Sequence, residues 1–290
     1  MRATVLFLFI FSQILLNAKD TKKITKVNIF PNFDEVYYVL KSDNSIKHGV
    51  YKAEINGKVL IEGHYNMGEM DSLWTHYDLS GVIRSRGWFK SNKRDSIWEF
   101  FDKKGELEQK IDFSTAEVLL FRTGLAQNPF RIISGCDTIM SILDRPPLFL
   151  GGMSRFKDYL AEELHIPLHK PNEKITGTVF VSFIIDSVGN TSNYRVLKGI
   201  GRVCNNEALR VLKSISEPWI PGELNGKNVS VEYILPIIFD STIRGMTPSD
   251  FETNILSQLN EIPISQFSNQ QNLPVGGWVF VSPIFDSNWP

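Results

Sequence analysis

The residues of this 290-residue chain with the strongest claim on chemistry are five histidines, two cysteines and 32 carboxylates. Their spacing decides what they can do. His165 and His169 stand four apart, the interval that puts two imidazoles on one helical face for a metal ion. Pro167 lies between them, however, and Ile166 occupies the place where a metallopeptidase helix carries its Glu. His48, His64 and His76 form no ligand cluster with each other or with that pair. The run GELNGKN, Gly222 to Asn228, is one residue short of a phosphate-binding loop and lacks the hydroxyl after Lys227. GIGRVC, from Gly199, has Cys204 where a dinucleotide fingerprint needs its third glycine. No Ser, His and Asp stand in a recognisable triad context. The expectation is a protein that is not an enzyme, with no catalytic residue, no metal ligand and no cofactor. Cys136 and Cys204, the two cysteines, either pair in an oxidising compartment or remain thiols.

With catalysis set aside, the bulk numbers bound the class. Lys and Arg total 31 against 32 Asp and Glu, for a net charge of -1, so a nucleic-acid partner is not expected. Hydrophobic residues are 42% and charged residues 22%, an ordinary globular balance. Residues 1–18, MRATVLFLFIFSQILLNA, combine Arg2, an apolar run from Val5 to Leu16 and the small Ala18. A spanning helix needs about 20 apolar residues. The segment therefore reads as a secretory signal peptide cut near Ala18, which predicts a periplasmic protein. An uncleaved segment anchoring the chain in the inner membrane is the alternative.

The elements that must position any site fall in two regions. After a lead-in over 19–48, GHYNMGEMDSLWTHYDLSGVIRSR from Gly63 is echoed by GWFKSNKRDSIWEFFDKKGELEQK from Gly87. Trp74 recurs as Trp98, Tyr65 as Phe89 and Gly81 as Gly105, all at one constant interval. Each unit reads aromatic strand, Gly turn, second strand: a β-hairpin that buries an apolar face only when stacked on neighbours. This G-x-Y…W-x-x-Y-x-x-x-G pattern over 49–113 resembles the MORN-like repeats of bacterial exported proteins. The resemblance implies a ribbon-like antiparallel sheet serving as spacer or docking surface. The row Tyr65, Trp74, Tyr77, Phe89, Trp98 and Phe101 is expected to form the sheet's own core. Residues 114–145 show no clean period and read as a connector, with Phe121, Phe130, Ile132 and Ile133 covering the end of the repeat sheet.

From 146 to 240 the pattern becomes orderly. Ser154 caps a predicted helix with Phe156, Tyr159, Leu160 and Leu164 on one face. The strand Gly177 to Ser187 alternates Val179, Val181, Phe183 and Ile185 with Thr178, Ser182 and Asp186. A second strand is expected around Tyr194 to Leu197. Asn205 then caps a helix burying Ala208, Val211, Leu212 and Ile215, and a last strand runs from Val229 to Phe239. The order α-β-β-α-β predicts an α+β domain, an antiparallel sheet with helices on one face.

The run P-x-F-x-G-G…F-x-x-Y-L…G-x-V-x-V-x-F-x-I-D…V-L-K-G-I-G…E-A-L-R…P-W-x-P-G…V-x-V-x-Y-x-L-P-I-x-F, Pro147 to Phe239, resembles the C-terminal domain of the TonB family. The resemblance implies a module that grips an extended segment of an outer-membrane transport receptor, or of another envelope protein, by adding it as a strand. The edge expected to do so is Val229, Ser230, Val231, Glu232, Tyr233, Ile234 and Leu235, with Pro236 marking an unpaired side. Trp219, Pro221 and Gly222 match the family's W-x-P-G, with Trp219 a core plug. Glu207 and Arg210 match E-A-L-R on a solvated helix face. The long Pro-rich spacer and the membrane helix of a full transducer have no counterpart here, so coupling to an inner-membrane proton motor is not expected. A purely structural, cell-wall-contacting envelope protein is the alternative function.

One oddity remains. GTVFVSFIIDS, from Gly177, reappears as GWVFVSPIFDS from Gly277, eight of eleven letters alike. With a helix expected from Ser249 or Asp250, the tail 241–290 reads as a truncated second copy of helix plus strand. Its strand is expected to dock on the first domain's free edge or to mediate self-association with a neighbouring molecule.

Overall fold

A computed structural model describes residues 20–27, 34–122, 128–135, 137–164, 175–215, 219–240 and 279–281. The leader 1–18, His165, His169 and Cys136 lie outside these, as does the helix expected from Ser249. The chain divides into two compact units, one running to Arg122 and the other starting at Thr123.

The first unit is a nine-stranded antiparallel meander in which each strand pairs with its neighbours in sequence. Its strands are β1 (Thr21–Val27), β2 (Asp34–Leu40), β3 (Lys47–Ile55), β4 (Lys58–Asn66), β5 (Glu69–Tyr77), β6 (Ile83–Lys90), β7 (Lys93–Phe101), β8 (Leu107–Asp112) and β9 (Glu117–Phe121). Two kinds of turn join the strands. Asn56-Gly57, Met67-Gly68 and Ser91-Asn92 each place two successive residues at positive φ, the backbone that matches strand twist in a two-residue hairpin. The other turns are built on a side chain. Asp78 Oδ1 accepts from the Ser80 and Val82 amides at 2.8 and 3.1 Å. Asp102 Oδ1 does the same for Lys104 and Glu106 at 2.8 and 2.9 Å. An aspartate thus mimics a backbone turn once in each repeat.

The repeat's aromatic residues form a ladder along the sheet. Ring centroids of Tyr51 and Tyr65 lie 5.5 Å apart, Tyr65 and Trp74 5.2 Å, Trp74 and Phe89 6.0 Å, and Phe89 and Trp98 5.0 Å, all edge-on. Each indole lies flat over a glycine of the preceding strand. A Cβ on Gly63 would overlap Trp74, and one on Gly87 would overlap Trp98. The indole N–H groups follow the same repeat: Trp74 donates to the His64 carbonyl and Trp98 to the Trp88 carbonyl. Two expected members stand outside the ladder. Tyr77 donates its hydroxyl to Glu62 at 2.6 Å, and Phe101 carries the Arg86 guanidinium 5.5 Å from its ring centre. Tyr51 and Phe113 extend the ladder instead.

The sheet is also wider than the 49–113 repeat. The lead-in contributes β1 and β2, and the expected connector 114–145 is not featureless. It supplies β9 to this sheet, and it supplies β10 (Pro129–Ser134) and β11 (Asp137–Ile142) to the second unit. The connector reads as aperiodic because its strands are short and belong to two different sheets.

In the second unit β12 (Leu148–Phe149) leads into helix α1 (Gly152–Glu163), followed by β13 (Thr176–Ile185), β14 (Thr191–Lys198) and helix α2 (Arg202–Ser214). The short β15 (Trp219–Ile220) and β16 (Gly222–Leu224) precede the long β17 (Lys227–Asp240), and β18 (Val279–Val281) is the last element among the described residues. The main sheet runs β11-β10-β17-β13-β14. One face carries a core of Val179, Val181, Phe183, Ile185, Val231, Tyr233, Leu235, Ile237 and Phe239 against Phe156 and Leu160 of α1 and Ala208, Val211 and Leu212 of α2. Cys204 is buried in that core.

Both helices start earlier than their expected caps. α1 follows Gly151 at φ 101 rather than Ser154. α2 follows Gly201, and Asn205 acts from inside the helix, its Oδ1 accepting from the Ile200 amide at 3.2 Å. A Cβ on Gly199 would strike that Asn205 side chain, which ties the glycine pair to the helix start.

Candidate functional site

The strand on which the expected site lies, β17, is built by alternation. Val231, Tyr233 and Leu235 point into the helix-covered core, and Glu232 and Ile234 are buried on the opposite face. Val229 and Ser230 are half-buried. The hairpin tip at Asn225-Gly226, both at positive φ, joins β16 to β17.

The topology narrows the open rim expected over Val229 to Leu235. β13 pairs with β17 from Val231 to Asp240 on one side. On the other side β10 pairs with Ser230, Val231 and Glu232, and β18 runs parallel along Ile237, Ile238 and Phe239. Tyr233 to Pro236 is the stretch with no strand on that rim among the described residues. Pro236 falls inside it, paired with Phe180 of β13 on the other side. The segment expected to cover the repeat sheet, Phe130 to Ile133, is therefore what covers β17. Phe130 stacks on Tyr233 with ring centres 6.2 Å apart.

A charge cluster fixes this arrangement on the face away from the helices. Glu232 accepts from Ser182 Oγ on β13, from Arg195 Nη2 on β14 at 2.5 Å, and from Arg131 Nη1 on β10 at 3.0 Å. One carboxylate thus ties four adjacent strands together. Burial alone would raise its pKa. Hydrogen bonds from Ser182 and Arg195, with the charges of Arg195 and Arg131, outweigh that and hold it below the ordinary glutamate range. These residues, with Ile133, Thr138, Ile184 and Asn193, line a groove of about 400 Å³. Sequence reading missed the cluster. Ser182 and Glu232 stand out as polar residues on alternating strands, but only the β13–β17 and β10–β17 registers bring them to Arg131 and Arg195.

The family-motif residues divide by role. Trp219 is 4% exposed and packs edge-on against Phe149 and Phe156, with Tyr233 5.1 Å away. Gly222 admits Leu143 and Pro147, with no room for a Cβ. The Pro221 carbonyl accepts from Arg145 Nη2 at 3.3 Å. Glu207 and Arg210 do more than line a solvated face. Arg210 grips Glu207 through Nε and Nη2 at 2.8 and 2.7 Å and also donates to the Glu163 carbonyl at 2.6 Å. A cation at the last carbonyls of α1 supplies a donor to the helix end and complements the helix dipole.

Among the described residues no group of three or more His, Cys, Asp or Glu side chains is placed to hold a metal ion. Among them, too, no helix is long and apolar enough to cross a membrane.

Residues 167–241 match the family model of the Gram-negative bacterial TonB protein C-terminal. The matched segment contains β13, β14, α2 and β17, the elements around Glu232 and Trp219. TonB C-terminal domains interact with outer-membrane receptors, and this makes the cell envelope the coarse setting and an envelope or receptor protein the coarse partner class. The repeat sheet is compatible with hairpin repeats and lies outside the match. No curated protein matches the chain. Two crystal structures of S. aureus TarM, one of them a mutant in complex with fondaparinux, alpha-GlcNAc-glycerol and UDP, align at 11% identity and a TM-score of 0.21, over 38% of this chain and 23% of theirs. A TM-score that low carries no argument about fold or function.

Proposed function

We propose that this is an exported, periplasmic TonB-like protein whose second unit binds an extended segment of an outer-membrane receptor, or of another envelope protein, by strand addition, in association with transport across the outer membrane. The observation that supports this best is the TonB C-terminal match falling on a sheet whose long strand β17 already takes strands from three separate parts of the chain. Main-chain hydrogen bonds supply the affinity in this mode, and side-chain pockets supply the selectivity. No catalytic step, cofactor or metal belongs to this reading, and neither does a proton motor. The nine-stranded sheet of the first unit acts as a spacer or second docking surface.

One observation favours a second reading. β10 and β18 lie on the rim that a receptor segment would use, as suits a structural envelope protein that contacts the cell wall and transmits no force. Capture by the full mature chain from solubilised outer membranes separates the two. Recovery of receptor plug segments, lost when Ile234→Pro disrupts the uncovered stretch, supports the first reading. Recovery of cell-wall material, indifferent to that substitution, overturns it.

A further inference from the structure

The doubled strand finds its place in the register. The first copy, in β13, pairs Val179 with Ile237 in antiparallel sense. The second copy, in β18, pairs Val279 with the same Ile237 in parallel sense, followed by Phe280 with Ile238 and Val281 with Phe239. Equivalent valines of two segments alike at eight of eleven positions thus flank one residue of β17 from its two sides. A strand that accepts V-F-V on one rim is offered V-F-V on the other.

The two copies are held in opposite senses. β13 pairs antiparallel with β17 from Thr176 to Ile185, and β18, among the described residues, pairs parallel with it from Val279 to Val281. The second copy also reaches its place from the far end of a long segment, 241–278. Such a length of chain spans on the order of 100 Å when extended, so position in the sequence does not force the pairing. Short parallel pairing is also the weaker kind per residue. Immediately beside it lies the stretch from Tyr233 to Pro236, which has no strand on that rim among the described residues. That stretch and the part held by the tail strand together make one groove edge from Tyr233 to Phe239, bounded at its other end by β10 on Ser230–Glu232.

We propose that Tyr233–Phe239 of β17 is the strand-addition site and that the chain's own C-terminal strand occupies part of it as an internal guest, which an incoming segment must displace. The guest this site takes runs parallel to β17 and carries an alternating apolar V-x-V pattern like that of residues 279–281. This rests on the strand-addition reading and adds its regulation: the partner competes with a tethered copy of its own kind. A tethered strand has an effective concentration in the millimolar range, so even a weak, short pairing raises the threshold for a partner in solution.

The test needs no envelope partner, so it can fail while the receptor reading stands, and the reverse. It uses the full chain, its Val279→Pro/Phe280→Pro double variant, and a labelled peptide GWVFVSPIFDS. Neighbouring residues of a strand send their N–H groups to opposite sides, so the double substitution removes whichever amide faces β17. Exchange of those Ile237–Phe239 amides that face β18 is expected to be roughly ten-fold faster in the variant, while the amides that face β13, and Val179–Ile185, keep their protection and so report an intact core. Added peptide is expected to restore the slow exchange, and to bind the variant roughly ten-fold more tightly than the wild type. Equal exchange in the two proteins, or equal peptide affinity for both, overturns the proposal.

Discussion

The two units make antiparallel sheet in opposite ways. In the first, every strand from β1 to β9 lies beside its neighbours in sequence, and one unit of Trp over Gly and Asp-built turn is written twice. In the second, β17 is the centre, and its flanks come from β10 and β13 far upstream and from β18 well downstream. The first is a one-dimensional array held by nearest-neighbour contacts. The second is a hub with one rim filled by β13 and the other shared by β10 and β18, and the strand addition proposed above would draw on that shared rim. The repetitive sheet instead packs its rings on one another.

The sharpest way to break this contrast is to remove one tryptophan from each unit. Trp98→Ala and Trp219→Ala should each cost about 3–5 kcal/mol in urea unfolding, the usual range for a fully packed indole. Their spread should differ. Loss of Trp98 is expected to loosen β6 to β8 in amide exchange and leave β2 and β3 protected, whereas loss of Trp219 should loosen β10, β13 and β17 together. A uniform loss across the first unit would contradict the array description.

Glu232 is next in size. Glu232→Ala strands Arg131 and Arg195, and because Arg195 is 59% exposed the cost should be about 2–3 kcal/mol, below that of a fully buried pair. The folded-state pKa of Glu232 is depressed, so its contribution is present above the unfolded glutamate value and is lost as pH falls through the lower, folded one. Unfolding of the second unit should therefore show an acid-dependent loss of stability below the ordinary glutamate pKa that Glu232→Gln removes. An unchanged pH profile in that variant would show that the cluster is not a tie between strands.

Gly87→Ala pushes a methyl into the Trp98 ring and should cost about 1–3 kcal/mol, as overpacking does, read from the midpoint of the first unit's transition. The smallest effect is expected at a turn. Asn92 sits at φ 64, and Asn92→Ala should cost about 1 kcal/mol through the left-handed backbone alone. Asn92→Gly should be nearly neutral, and a large loss there would point instead to its side-chain bond to the Met70 amide.

What could be read from the letters follows the same division. The α+β character, the alternation Val231, Tyr233, Leu235 and the faces of both helices were legible, because each depends on residues close in sequence. The ladder was legible in Trp74, Phe89 and Trp98 and misread in Tyr77 and Phe101. Register shifts between His76 and Tyr77 and between Phe100 and Phe101 break the simple alternation there. The site was legible as a strand and only in part as an edge, since β10 lies on Ser230–Glu232 while Tyr233–Leu235 has no strand on that rim among the described residues. Nothing in FRIIS announces that it will lie on Ser230–Glu232 so far along the chain, or that Arg131 will meet Glu232, since pairing between distant strands is fixed by the packing of the whole sheet.

The most direct test is amide exchange across β17 in the full chain, measured alone and bound to the envelope protein it captures. The account predicts new protection at those amides of Tyr233–Leu235 that face away from β13, continued protection at Ile237–Phe239, and no change along β1–β9. Protection confined to the first unit, with Tyr233–Leu235 exchanging as before, would contradict it.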